Sequence, residues 1–323
     1  MSDLPKSVSI CEEGPREGFQ SEARMIATAD KIRFIEALAE TGVGEINCVS
    51  FVNPKRVPQM ADAEQVAAGI RKKPGIHYTP TFLNLAGFER ARATALDIEP
   101  VLFLSASETF GIRNSNKDRA ASLVEQRDFL AAYRKAGMTP AAGYVFTAFG
   151  CAYEGDVAPA VTVEAVRQLL ELTAGLPVPR IVLCDTVGWA TPLAVERLCG
   201  MVRERWPEVP FGLHLHDTRG MGIANAMAGL RMGVDHFDSS CGGLGGCPFA
   251  GNSAAAGNIA TEELVQMCEE MGIATGIDLD RMIECVALAE ELVGHTLPSK
   301  VAKAGSIGAR RARNAAARVA NAA

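Results

Sequence analysis

No stretch of this chain stays apolar for the roughly 20 residues that a membrane-spanning helix needs, so no span is expected. There is no basic excess either. The 32 Lys and Arg face 38 Asp and Glu, a formal net charge of −6, and the pI is about 5.5. Broad nucleic-acid binding calls for the opposite sign. None of the nine cysteines forms a Cys-x-x-Cys pair, and their number is odd. That argues against a disulfide framework and for a reducing compartment, the cytoplasm. The first residues are polar without an apolar core, so no signal peptide is expected. The first β-rich run is not followed by a Gly-x-Gly-x-x-Gly turn, which counts against an open doubly wound sheet. Histidine is scarce, with five in 323 residues.

What is present is a full complement of core-forming residues, 48% hydrophobic against 22% charged, enough for one large barrel or two ordinary domains. Short β-rich runs recur at 8–11, 45–50, 77–82, 100–105, 141–148, 180–184, 211–216 and 234–238. Between most of them lie stretches of helical period, at 29–41, 163–173, 191–205, 224–232 and 262–271. Thr261 is the expected N-cap of the last of these. Eight strand–helix repeats predict an α/β fold, a (β/α)8 TIM barrel over 1–305, with a C-terminal helical extension. A glycine-rich lid loop is expected near 242–257. The Ala- and Arg-rich segment 306–323 reads as a helix or a frayed, solvated end.

Barrel chemistry sits at the C-terminal ends of the strands. The unusual polar residues are expected there: Arg16 and Glu17 after the first run, Glu45 and Ser50 in the second, Asp185 after the sixth, His214 and His216 ending the seventh. Residues two apart on a strand share a face, so His214 and His216 aim two imidazoles at one point. Gly14-Pro15 breaks the first strand and presents Arg16 and Glu17. Asn258, beyond the glycine loop, can add an amide oxygen. A carboxylate, two imidazoles and an amide oxygen suit Mg2+ or Mn2+. Two His and one carboxylate equally suit Zn2+ or Fe2+.

Six segments carry a specific resemblance. They are Gly-Pro-Arg-Glu-Gly-Phe-Gln at 14–20, Ser-Phe-Val-Asn-Pro-Lys-Arg-Val-Pro-Gln-Met at 50–60 and Asp-Thr-Val-Gly at 185–188. The others are His-Leu-His-Asp-Thr at 214–218, Gly-Leu-Gly-Gly-Cys-Pro-Phe-Ala at 243–250 and Gly-Asn-Ile-Ala-Thr-Glu at 257–262. With these, the chain resembles the 3-hydroxy-3-methylglutaryl-CoA lyases of the metallolyase TIM-barrel superfamily, over about Val8 to Lys303. The resemblance implies a retro-Claisen cleavage of an acyl-CoA, with Mg2+ or Mn2+ as cofactor and a homo-oligomer, a dimer, as the assembly. It implies Glu17, His214, His216 and Asn258 as metal ligands and Arg16 as the cation at the thioester enolate oxygen. Cys247 takes the place of the catalytic cysteine on the lid, His214 shares in catalysis, and Glu45 and Asp185 are supporting acid–base groups. Gln20, Ser50 and Tyr144 are the expected substrate-binding residues. Three departures bear on the substrate: Glu17 stands where the family has Asp, the lid is two residues longer, and Phe146 and Trp189 are bulky. Citramalyl-CoA or a longer-branched hydroxyglutaryl-CoA is therefore an alternative substrate. More distant readings are a metal-dependent hydrolase or oxygenase, and an acyl-CoA binder without turnover.

Overall fold

The structure is a computed structural model that describes residues 4–246 and 256–322. Eight strands form one all-parallel sheet: β1 Ser9–Glu12, β2 Glu45–Ser50, β3 His77–Thr81, β4 Val101–Ser105, β5 Ala142–Phe146, β6 Arg180–Asp185, β7 Phe211–Leu215 and β8 His236–Ser239. Each falls on an expected run, with ends shifted by a residue or two. The ladder order is β3-β2-β1-β8-β7-β6-β5-β4, so the first strand pairs with the last and the sheet curls into a (β/α)8 barrel. At the seam, Asp97 joins the two ladder ends. Its backbone N–H donates to Tyr78 O at 2.8 Å, and its carboxylate accepts from Tyr78 N at 2.9 Å.

The helices pack outside because their apolar residues recur on one face. Helices α1 Thr28–Ala39, α2 Ala63–Gly69 and α3 Leu85–Arg92 follow the first three strands. Next come α4 Glu108–Ser115 and α5 Arg119–Lys135, then α6 Pro159–Leu172, α7 Pro192–Arg205 and α8 Gly222–Arg231. In α1, Phe34, Ile35 and Leu38 are wholly buried. Helix α7 starts on Thr191, whose hydroxyl accepts from Ala194 N, with Pro192 in the first turn. Helices α9 Thr261–Glu270, α10 Leu279–Val293, α11 Lys300–Ala304 and α12 Ile307–Ala322 complete the chain. The expected Thr261 cap is corrected. Ala260 is the N-cap residue, whose methyl side chain can make no cap bond, and the Thr261 hydroxyl, one position into the helix, donates to the buried Glu12 at 2.6 Å. Within the expected C-terminal segment, residues Ile307–Ala322 are helical, tied down by Arg311 to Glu270 at 2.7 Å.

The strand ends sort the polar interior into two levels. Glu45 opens β2, five residues and about 17 Å of strand below Ser50. It lies at the N-terminal end of the barrel, so its expected place in the catalytic mouth is corrected. There it accepts from the Thr79 hydroxyl at 3.2 Å and meets the Glu99 carboxyl. Burial, with Glu99 and Asp238 close by, pushes Glu45 up to about 8. Burial raises Glu99 as well, with His236 pulling the other way.

Between the ordinary carboxyl value of 4.5 and about 8, the folded protein therefore binds more protons here than the unfolded chain does. The stability this pair contributes is complete at low pH and is lost as pH rises through about 8. We expect the melting temperature to fall from pH 5.5 to 8.5. Glu45→Gln should flatten that slope by an amount on the order of a few degrees, read by calorimetry. An unchanged slope would remove the pair from the account.

Candidate metal centre at the barrel mouth

The mouth is built on the turn that leaves β1. Successive strand residues face opposite sides. Glu12 faces the helices and Glu13 faces the barrel interior. The segment Gly14–Gly18 is a π-type turn, one residue wider than an α turn. Its spine is the Glu13 carbonyl, which accepts from Arg16 N, Glu17 N and Gly18 N at 3.1, 2.8 and 3.2 Å. Glu12 is fully buried and accepts from Gly14 N, Cys241 N and the Thr261 hydroxyl at 2.8, 2.7 and 2.6 Å. A Cβ at position 14 would come within 2.6 Å of that carboxylate, so glycine is required there.

From this turn Glu17 reaches the two histidines. The Glu17 Oε1 lies 3.3 Å from His216 Nε2 and 3.6 Å from His214 Nε2, and the two Nε2 atoms are 3.2 Å apart. Donors about 2.1 Å from a shared ion stand about 3.0 Å apart at right angles and about 3.4 Å apart tetrahedrally. The three groups therefore fit one cation without rearrangement. Asn258 lies beside His216 through an antiparallel bridge, its neighbour Ile259 donating to Leu215 O at 3.0 Å. Both Asn258 amide atoms are buried and find no hydrogen-bond partner among the described residues. An amide oxygen left bare at that depth is costly unless something else binds it, and a cation held by Glu17, His214 and His216 would satisfy it.

Behind the site runs a chain of charges. His214 Nδ1 is 3.1 Å from Asp238 Oδ2, and Asp238 Oδ1 is 3.2 Å from His236 Nε2. A carboxylate only accepts, so His214 carries a proton on Nδ1, which leaves Nε2 as the ring atom presented to Glu17 and His216. Burial pushes Asp238 up, but the two imidazoles outweigh it and hold the carboxyl well below its usual range. Burial likewise opposes the charge on His214, and Glu17 and Asp238 overcome it. Burial also acts to raise Glu17, whose value nonetheless falls well below normal beside His214 and Arg16. Arg16 donates from Nη1 to Glu17 at 2.8 Å.

The remaining expected residues divide. Asp185 closes β6 and is raised by burial. Its two oxygens accept from Trp189 N at 2.6 Å and Ala190 N at 3.1 Å, so it shapes the loop that carries Trp189. Ser50 donates to Gln20 at 3.1 Å, joining β2 to the end of the turn. Tyr144 faces the interior on the opposite wall, near Asp238 and Glu99, below Phe146 rather than at the Glu17 group. Cys247 and most of the expected lid lie outside the described residues. Sequence reading missed Glu12, Glu13, Asn47, Asp238 and His236. Asn47 shares the inner face of β2 with Glu45, nearer the mouth. Asp238 ends the eighth run as His214 nearly ends the seventh.

A parallel barrel with two imidazoles and a carboxylate converging at the C-terminal ends of β7 and β1 defines a metal-dependent barrel enzyme. The chain belongs to the HMGL-like family, whose model matches residues 7–288. It is 41% identical over 296 residues to hydroxymethylglutaryl-CoA lyase YngG of Bacillus subtilis, covering 92% of this chain and 96% of that one. It is 40% identical over 304 residues to the mitochondrial hydroxymethylglutaryl-CoA lyase of Homo sapiens, covering 94% and 91%. Among solved structures, an HMG-CoA lyase from Acinetobacter baumannii in complex with coenzyme A and 3-methylmalate superposes with a TM-score of 0.85 at 38% identity, covering 95% and 98%.

Removing a ligand and removing its support should differ in degree. We expect His216→Ala to weaken Mn2+ binding by at least about 100-fold, and Asp238→Asn by about 10–100-fold through the lost orientation of His214. Isothermal titration reads both. Wild-type affinity in His216→Ala would show that the ion sits elsewhere.

Proposed function

We propose that this protein is a divalent-metal-dependent carbon–carbon lyase that cleaves 3-hydroxy-3-methylglutaryl-CoA, or a closely similar 3-hydroxyacyl-CoA, to acetyl-CoA and a ketoacid. The observation that carries this is the convergence of Glu17, His214 and His216 beside Arg16, in a chain closely related to lyases of that name. The cation is Mg2+ or Mn2+, held by Glu17, His214, His216 and Asn258. When bound, it lowers the pKa of the substrate hydroxyl and steadies the emerging ketone. The described cysteines are all free thiols, which supports a reducing, cytoplasmic setting.

The reaction needs four things from the chain. The hydroxyl proton passes to a base, for which Glu17 is the carboxylate beside the histidine pair, and the C2–C3 pair stays on C2, so negative charge develops on the thioester oxygen. Arg16 is the fixed donor at the mouth for that oxygen. Asp238, through His214, keeps the Nε2 lone pair aimed at the cation site and prevents the ring from turning. C2 must then gain a proton. We assign that step to the Cys247 thiol, an assignment supported by the resemblance of its Gly-Gly-Cys-Pro segment. Asp185 holds the Trp189 loop against the rim, where the Arg219 guanidinium lies 5.4 Å from the indole ring centre.

Glu17 is the departure with the sharpest consequence. A glutamate reaches about 1.5 Å further than an aspartate, and a misplacement near 1 Å costs roughly 100-fold in rate. Wild-type protein with Mn2+ should release acetyl-CoA from at least one member of a hydroxyacyl-CoA panel, and chelation should abolish that release. Glu17→Asp should change relative rates within the panel by about tenfold or more while metal dependence remains. Full turnover after exhaustive chelation, or no acetyl-CoA from any thioester, would contradict the reading.

A further inference from the structure

Glu13 is a buried carboxylate with no part in the scheme above. It is 4% exposed and faces the interior directly after β1. Its Oε1 accepts from Asn47 Nδ2 at 3.0 Å, and its Oε2 lies 3.3 Å from Arg16 Nε. Asn47 is itself fixed to the Thr81 hydroxyl, donating at 2.8 Å and accepting at 3.2 Å. A bracket thus runs from β3 through β2 to the guanidinium. A carboxylate at this depth is costly to keep unless it is paired, so its pairing with Arg16 is a strong constraint on both.

The same guanidinium is held at a second point, Nη1, by Glu17. Two carboxylates share one cation, one at Nε and one at Nη1. Glu17 accepts a hydrogen bond at Nη1, while Glu13 makes a close ion-pair contact at Nε without an aligned hydrogen bond, and the two together limit how the fork can turn. Among the described residues, Nη2 has no hydrogen-bond partner. Glu17 alone would be a poor anchor, because its Oε1 faces the two histidines. Any shift of that carboxylate toward a cation would carry the guanidinium with it. Glu13 has no such second duty.

We propose that Glu13 is a positioning residue for Arg16. It holds the Nη2 edge toward the thioester carbonyl of a bound acyl-CoA, whatever Glu17 does for the cation. This rests on the acyl-CoA reading of the mouth. With two anions on one guanidinium, Arg16 acts as an aimed hydrogen-bond donor rather than as a net positive charge.

The test uses Mn2+-loaded Glu13→Gln, Asn47→Ala, Arg16→Gln and the Glu13→Gln/Arg16→Gln pair. Calorimetry reads the preference for acetyl-CoA over its S-ethyl thioether analogue, which lacks the carbonyl, beside kcat, KM and Mn2+ affinity. For Glu13→Gln we expect kcat to fall about 10–100-fold with KM within about threefold, and the thioester preference to drop about tenfold. Mn2+ affinity should stay within about twofold, since no ion ligand is lost. Asn47→Ala should move the same quantities less. In the Arg16→Gln background, Glu13→Gln should add less than about twofold, because the two act as one unit. Three results would overturn the proposal: wild-type preference and kcat in Glu13→Gln, a full effect that persists without Arg16, or a parallel loss of Mn2+ affinity and melting temperature. A wild type that prefers the thioester but cleaves none contradicts the lyase reading, and Glu13 is then judged on the binding preference.

Discussion

The Glu12 carboxylate is the junction on which the mouth depends. It ties the turn after β1 to the loop after β8 and to the start of α9, through three donors at 2.6–2.8 Å. The barrel closes where β1 meets β8, so this one buried group joins the beginning of the fold to its end. Burial pushes the carboxyl up to about 8, against the pull of those three donors. A second buried acid, Glu262, accepts from Gly242 N at 3.0 Å and is raised by burial to about 7. The base of the glycine loop thus hangs on two carboxyls, beside the apolar packing of the buried Cys241 and Leu244.

Around that junction the interior is short of positive charge. Glu13 and Glu17 share one guanidinium, Arg16, and Asp238 meets only imidazoles, which carry charge only when protonated. An uncompensated carboxylate in a buried site is expensive, and a divalent cation between Glu17 and the histidines balances the account electrostatically. The Asn258 amide, without a hydrogen-bond partner among the described residues, belongs to the residue bridged to His216. Geometry, charge and hydrogen-bond satisfaction therefore agree on one position.

Much of this was legible beforehand, because period and spacing are local properties. The eight β-rich runs and the His-x-His pair each follow from side-chain direction on a strand. Depth along the barrel does not. A period of two says which face a residue takes but not how far up the strand it sits, so Glu45 was expected at the mouth although it opens β2. The same reading passed over Asn47, two residues nearer the mouth on the same face. Glu12 and Glu13 were passed over because nothing local in a sequence distinguishes two adjacent buried acids from a solvated pair. The opposite facing of strand neighbours buries both, one under α9 and one in the barrel. Thr261 had the residue type of a helix cap, but a tertiary partner more than two hundred residues away took its hydroxyl.

The central claim is that Glu17, His214, His216 and Asn258 share one divalent cation. Anomalous diffraction at the manganese edge, from crystals of the Mn2+-loaded protein, tests it most directly. The account predicts a single strong peak bounded by Glu17 Oε1, the two Nε2 atoms and the Asn258 amide oxygen, with His214 still bonded to Asp238. A peak elsewhere, or no peak between the two imidazoles with Mn2+ in excess, would contradict it.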